Sequence, residues 1–210
     1  VGSLCVDKYK ASAWSIPEAN QSLIDLVKQG LATLDDLVAG GATQHGCTTD
    51  GFGLAAYPQG FPTSGKWTTP VYSVSVAGAW PSTCTSWFQA QQACHLVGKR
   101  LPTLAEWQSA AAGAPGALPN EGCDPFCNLP PPSLLFCPGG ARPDCLSNWG
   151  VYDLFGGPGE WVADVRIDEV GDLSVRMDYA LFQGDRTNAV TGEVRQRLLG
   201  FQNVGFRCVR

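Results

Sequence analysis

The chain has 210 residues, of which 44% are hydrophobic and 16% charged, enough to bury one sizeable core or two small ones. Seven Trp, nine Phe and five Tyr exclude a disordered or collagen-like chain. A net charge of −5 and an isoelectric point of about 4.9 argue against a general nucleic-acid or anionic-membrane binder, and no run approaches the roughly 18 apolar residues that span a bilayer.

Gly and Pro together make up about 19% of the residues, which predicts long irregular loops. Leu4–Tyr9 reads as a short strand carrying Cys5. Pro17–Gln29 places Leu23, Leu26 and Val27 at helical spacing, and Gly30 closes it. Thr33–Val38 reads as a second short helix, stopped by Gly40 and Gly41, and 40–70 as loop. Val71–Val76 alternates as a strand, with Tyr72, Val74 and Val76 on one face. Thr83–Val97 is the clearest helix, with Trp87, Ala90, Cys94 and Val97 on one face. Thr103 and Glu106 form a capping box that opens a helix running to about Ala112. Residues 113–147 read as a long loop held in shape by internal disulfides, and 148–210 as short strands between Gly and Asp turns. No repeat or linker appears, so one domain over 1–210 is the simplest count.

The nine cysteines stand at 5, 47, 84, 94, 123, 127, 137, 145 and 208. That number favours an oxidising location: secreted, cell-surface or phage-particle exposed. Nine is odd, so at least one thiol is free, intermolecular or metal-bound. Cys123, Cys127, Cys137 and Cys145 can form two bridges or a zinc site with all four as ligands. Their spacings, with 3, 9 and 7 residues between, do not match a CxxC…CxxC knuckle and favour bridges. Cys5 can pair with Cys47, which leaves Cys84 as a small buried apolar residue.

Three blocks carry a resemblance. Gly98-Lys99-Arg100-Leu101-Pro102-Thr103, with Ala105-Glu106-Trp107, is the first. Asn148-Trp149-Gly150, with Tyr152-Asp153, Gly156 and Glu160-Trp161-Val162, is the second. Gly205-Phe206-Arg207-Cys208 is the third. In this order they resemble the signature of the formylglycine-generating enzyme/sulfatase-modifying-factor family. The resemblance covers about 1–15 and 70–210, with 16–69 and 113–147 as insertions or divergent loops. It implies an α+β, C-type-lectin-like fold with two main helices, short twisted β-sheets and long irregular loops. It also implies a Cys94–Cys208 disulfide, a fold-holding Arg207, and a calcium site on Asp153, Gly156, Pro158 and Glu160. Gly157-Pro158-Gly159 departs from the bulkier residues of relatives at that site. Oxygen-only ligands suit a hard ion such as Ca²⁺.

The family's formylglycine-generating members hold copper on a C-terminal cysteine pair. The corresponding segment here, 179–186, has no cysteine, and Cu(I) needs soft ligands. Iron-dependent sulfoxide synthases need a histidine cluster, and only His45 and His95 are present. No Ser-His-Asp, phosphate-loop or His-Glu-x-x-His pattern appears. The resemblance therefore points to the family's binding branch, which includes the variable proteins of diversity-generating retroelements. These vary residues before a constant terminal strand. Here 174–203 departs most from the family pattern. After residue 100 every basic side chain is Arg, and arginines there interleave with aromatics, the residue types that interface hot spots use. The candidate contacts are Arg176, Asp178, Tyr179, Phe182, Gln183, Asp185, Arg186, Arg195, Arg197, Phe201 and Gln202. The partner would be a protein or other surface ligand; ligand and oligomeric state stay open. The competing class is a family enzyme with other chemistry on the same fold.

Overall fold

Four short helices and two small antiparallel-rich sheets are tied together through a shared set of buried tryptophans, cysteines and charges. They are seen in a computed structural model, described here for residues 2–47, 53–115, 127, 136–167, 173–180, 190–196, 200 and 204–210. Of 165–167, 173–180 and 190–196 only the backbone is described. The α+β class, the small sheets and the irregular loops follow the sequence expectation, and the four described helices lie where the sequence places helices.

The first sheet has the order β2-β1-β3, all antiparallel, from β1 (Ser12–Ser15), β2 (Thr43–His45) and β3 (Tyr72–Val74). The strand expected at Leu4–Tyr9 is instead an irregular segment with one bridge, Val6 to Val209. Its backbone bonds run to the chain's other end: Cys5 N–H to Arg210 O at 2.9 Å and Asp7 N–H to Cys208 O at 3.0 Å. Between β1 and β2 lie α1 (Gln21–Gln29) and α2 (Leu34–Ala39). Asn20 caps α1 through Leu23 N–H, and Gly30, at φ 74°, ends it in the left-handed region. Thr33 and Asp36 cap α2 reciprocally. Leu23, Ile24, Val27 and Leu37 pack with Trp14, Tyr72, Val74 and Val97 in one apolar cluster.

Helix α3 (Trp87–Leu96) starts later than expected. Ser86 is its cap: Ser86 Oγ accepts from Gln89 N–H at 3.2 Å, and Gln89 Oε1 accepts from Ser86 N–H at 2.9 Å. Thr103 and Glu106 cap α4 (Leu104–Ala110) as the sequence indicates. Ala90, Ala93 and Cys94 of α3 join Ala11, Ala13, Phe61, Leu101, Trp161 and Phe206 in the central cluster.

The second sheet has the order β6-β5-β4-β7, from β4 (Gly159–Ile167), β5 (Leu173–Ala180), β6 (Val190–Gln196) and β7 (Val204–Phe206). β4 runs antiparallel to β5, with an irregularity between Trp161 and Val165, and parallel to β7. Three of these strands are longer than the short strands read for 148–210. Two indole bonds tie β4 to the start of α3. Trp161, fully buried, donates from Nε1 to Thr85 O at 2.8 Å, and Trp87 Nε1 donates to Val162 O at 2.8 Å.

Disulfides join Cys47 to Cys84, Cys94 to Cys208 and Cys127 to Cys145, and Cys137 is also disulfide-bonded. The Cys5–Cys47 pairing is corrected: β2 leads Cys47 to Cys84, and Cys5 is free and exposed. Cys127 and Cys145 are bridged, not zinc ligands. The Cys94–Cys208 bridge links α3 to the residues after β7 across a sequence separation of 114. On the loop-closure model, the double variant Cys94→Ala/Cys208→Ala loses about 4 to 5 kcal/mol of unfolding free energy in a urea titration.

Candidate functional site

Two regions were singled out by the sequence, the loop before β4 and the segment after it. The first is built around Glu160, which is fully buried. Its Oε1 accepts from Lys10 Nζ at 2.8 Å and from Arg207 at 3.0 Å. Its Oε2 accepts from Trp107 Nε1 at 2.7 Å and from Arg207 Nε at 3.2 Å. Four donors thus match the roughly four lone-pair sites of a carboxylate. The donor residues come from three different parts of the chain: the segment before β1, helix α4 and the end of β7. Arg207 also donates to Asp7 O at 2.6 Å and to Tyr152 O at 2.8 Å. It holds the fold through buried bonds, the role its motif implies.

Burial alone would raise the Glu160 pKa, but the charges of Arg207 and Lys10 outweigh it and hold the carboxyl at about 2. Asp7 and Asp153 go the other way: burial raises both, against the charges of Lys99 on Asp7 and of Lys10 on Asp153. Lys99 pairs with Asp7 at 2.5 Å.

Of the expected calcium ligands, Gly156 adopts a left-handed φ of 78° and Asp153 one of 58°, and Gly157, which follows Gly156, has one of 73°. That turn brings Pro158 and Glu160 together, but their oxygens converge on Lys10. Lys10 Nζ donates to Pro158 O at 2.9 Å as well as to Glu160. Asp153 Oδ2 accepts from Gly140 N–H at 3.0 Å, and Arg142 lies 4.0 Å from Oδ1. The adjoining cavity, lined by Lys10, Arg142, Asp153 and Pro158, measures about 10 Å³, the space of a single water. A calcium ion needs six to eight oxygen ligands. The residues present therefore do not fit an added Ca²⁺.

The second region forms the hairpin β5–β6. Arg176, Asp178 and Tyr179 lie on β5 and Arg195 on β6. Asp178 pairs with Gly192, Tyr179 with Thr191 and Val175 with Arg195. By the two-residue period of a strand, positions 176 and 178 share one face of the sheet, and 179 and 195 the other. These four candidate positions are thus split between two faces. Phe182, Gln183, Asp185, Arg186, Arg197, Phe201 and Gln202 lie outside the described residues.

His45 and His95 do not form a pair. His45 is buried on β2, with Nδ1 2.9 Å from Ala56 O and Nε2 2.8 Å from Ser15 Oγ, while His95 is exposed on α3. Lys10, Arg142 and the Ser15–His45 contact were not anticipated. A buried Lys or Arg is rare, and Lys10 meets its partner 150 positions along the chain, a separation no local pattern signals.

Glu160→Gln leaves Lys10 and Arg207 facing a neutral amide. Urea titration at neutral pH should show a loss of about 3 to 5 kcal/mol. Acid acts on the same group. A carboxyl held at about 2 in the fold, against 4.5 when unfolded, contributes stability that is present above pH 4.5 and lost as the pH falls toward 2. The loss in this window should be steeper in the parent chain than in Glu160→Gln. Glu106, held at about 2 first by its hydrogen bonds to Arg100, is partly exposed, and Glu106→Gln should change stability by less than about 1 kcal/mol.

The model for the sulfatase-modifying factor enzyme 1-like domain matches residues 62–210. No curated protein matches the chain. Among solved structures, the one titled "Crystal Structure of CarF" is similar with a TM-score of 0.45 and 20% identity, over 63% of this chain and 68% of that one. The matched span is more than half of the sequence and includes the capping box of α4, the Glu160 strand and the terminal Arg207-Cys208: this chain belongs to the sulfatase-modifying-factor family.

Proposed function

We propose that this member of the family is a binding protein, with the hairpin β5–β6 and its connecting residues as the recognition surface. One observation supports this reading most. β6 forms the outer edge of its sheet and pairs only with β5 among the described strands, while β4, which carries the hairpin, is tied to the start of α3 by the indole bonds of Trp161 and Trp87. A hairpin at the edge of a sheet, on a rigid base, can change side chains without disturbing the core. The charged groups that would be candidates for chemistry, Lys10, Glu160 and Arg207, are buried, and Lys10 and Arg207 both pair with Glu160. The sequence between Cys145 and Cys208 contains no cysteine, so the thiol pair of formylglycine generation has no counterpart there. Three disulfides among the described residues support an extracellular or particle-exposed setting. No helix is long and apolar enough to cross a membrane among the described residues.

The finer reading is that 174–203 is the varied segment of a diversity-generating retroelement. In the source genome, a near-repeat of the DNA encoding 174–203, differing chiefly at adenines and beside a reverse-transcriptase gene, is the expected finding. A complete genome without one removes that reading and leaves a fixed binding domain.

The binding reading itself is tested by surface display of a library randomised at 176, 178, 179 and 195. Most variants should fold, single changes such as Tyr179→Ala should shift the melting temperature by no more than about 2 °C, and selection against a test protein should enrich binders. Widespread loss of folded display would make these positions core and end the proposal.

A further inference from the structure

The loop before β4 has the makings of a cation site. Pro158 offers a main-chain carbonyl, Glu160 a carboxylate, and Asp153 an Oδ1 that is buried and has no hydrogen-bond donor among the described residues. These are hard oxygen donors from a tight turn. The cation at the focus of the first two is already part of the chain. Lys10 enters from the segment just before β1, with Nζ 2.9 Å from Pro158 O and 2.8 Å from Glu160 Oε1. Gly157 lines its path: a Cβ there would only touch Lys10 Cε, at 3.4 Å, and it is the backbone φ of +73° that calls for glycine.

We propose that Lys10 is the resident cation of this loop, a covalently supplied substitute for a divalent metal ion, and that the chain is calcium-independent because of it. Charge supports this. Lys10, Arg142 and Arg207 stand against Asp153 and Glu160, so the buried group already carries one excess positive charge. A divalent ion added beside Lys10 would meet net repulsion at low dielectric and a carboxylate whose acceptor sites are taken. Removing the lysine reverses both conditions. It exposes Pro158 O and Glu160 Oε1, makes the cluster neutral, and leaves the volume of the lysine stem for water ligands.

The test is thermal unfolding of the parent chain and of Lys10→Ala, each in EDTA and in millimolar CaCl2, with calcium titrated calorimetrically into both. The parent chain should melt at the same temperature in both buffers and bind no calcium. Lys10→Ala should melt about 6 to 15 °C lower in EDTA, bind one calcium ion, and recover most of the loss in CaCl2. Lys10→Met fills the stem volume without a charge; it should be destabilised but not rescued. Calcium binding by the parent chain, or a melting temperature that rises with calcium, overturns the proposal. So does a folded Lys10→Ala that calcium neither binds nor stabilises. Should Lys10→Ala fail to fold in EDTA, refolding it in CaCl2 decides the matter: recovery of the folded form supports a cation site, and failure to recover it rejects one. The parent-chain measurement stands apart from either variant.

Discussion

A single carboxylate with no acceptor site to spare organises this molecule. Glu160 receives Lys10, Trp107 and Arg207 from three separate stretches of chain, and Arg207 passes the connection on to Asp7 and Tyr152. Buried ion pairs are poor net sources of stability, since desolvation offsets much of their attraction. Their geometric demand is another matter. Each charge must find its partner at bonding distance or remain desolvated and unpaired, so the segment before β1, helix α4, strand β4 and the residues after β7 have one mutual arrangement that satisfies all of them. Apolar contacts such as those of Trp161 with its neighbours in the central cluster supply the driving force; the charges select among the ways of using it.

That arrangement explains why a hairpin can stand on β4. Glu160 fixes one face of the strand, and Trp161 is buried on the next residue, facing the other way. The parallel partner β7 lies on one edge, so β5 takes the other. The Cys94–Cys208 bridge ties the β7 side to α3. The Cys94–Cys208 bridge and the bonds of Arg207 to Glu160 brace the β7 side of β4, and the other edge carries the β5–β6 hairpin. The irregularity in the β4–β5 ladder after Trp161 falls where the clamped part of β4 gives way to the rest of the hairpin, as bulges do where a strand bends away from its sheet.

Much of the frame was legible in the sequence because its signals are local. The Thr103–Glu106 capping box, the Leu23/Val27 stripe of α1 and the alternation at Tyr72–Val74 each lie within a few residues. The start of α3 was misplaced at Thr83 because Thr83, Thr85 and Ser86 are all competent caps; the discriminating feature is Gln89, three residues after Ser86. β1 went unseen since Ser-Ala-Trp-Ser shows no apolar alternation, and all but its last residue are buried. The apolar Leu4–Tyr9 segment instead makes its bonds with residues 208–210. Cysteine pairing is combinatorial, and without the fold nothing distinguished Cys47–Cys84 from Cys5–Cys47. The site was the least legible part. Asp153, Pro158 and Glu160 were found, but the group they face lies near the opposite end of the chain.

A lysine in place of a metal ion changes how the scaffold depends on its surroundings. A bound ion contributes stability in proportion to the logarithm of its concentration over its dissociation constant, so a metal-braced loop loosens wherever the ion is scarce. A side chain has no such dependence, because its local concentration is set by the backbone. The substitution carries its own constraint. An ammonium group offers three donors where a calcium ion accepts six to eight ligands, so it can gather fewer oxygens. Pro158 O and Glu160 Oε1 take two of the three, and Asp153 is left to Gly140 and to the more distant Arg142. Asp153 accordingly keeps a raised pKa, driven first by its burial and only partly offset by the Gly140 hydrogen bond and the charges of Lys10 and Arg142.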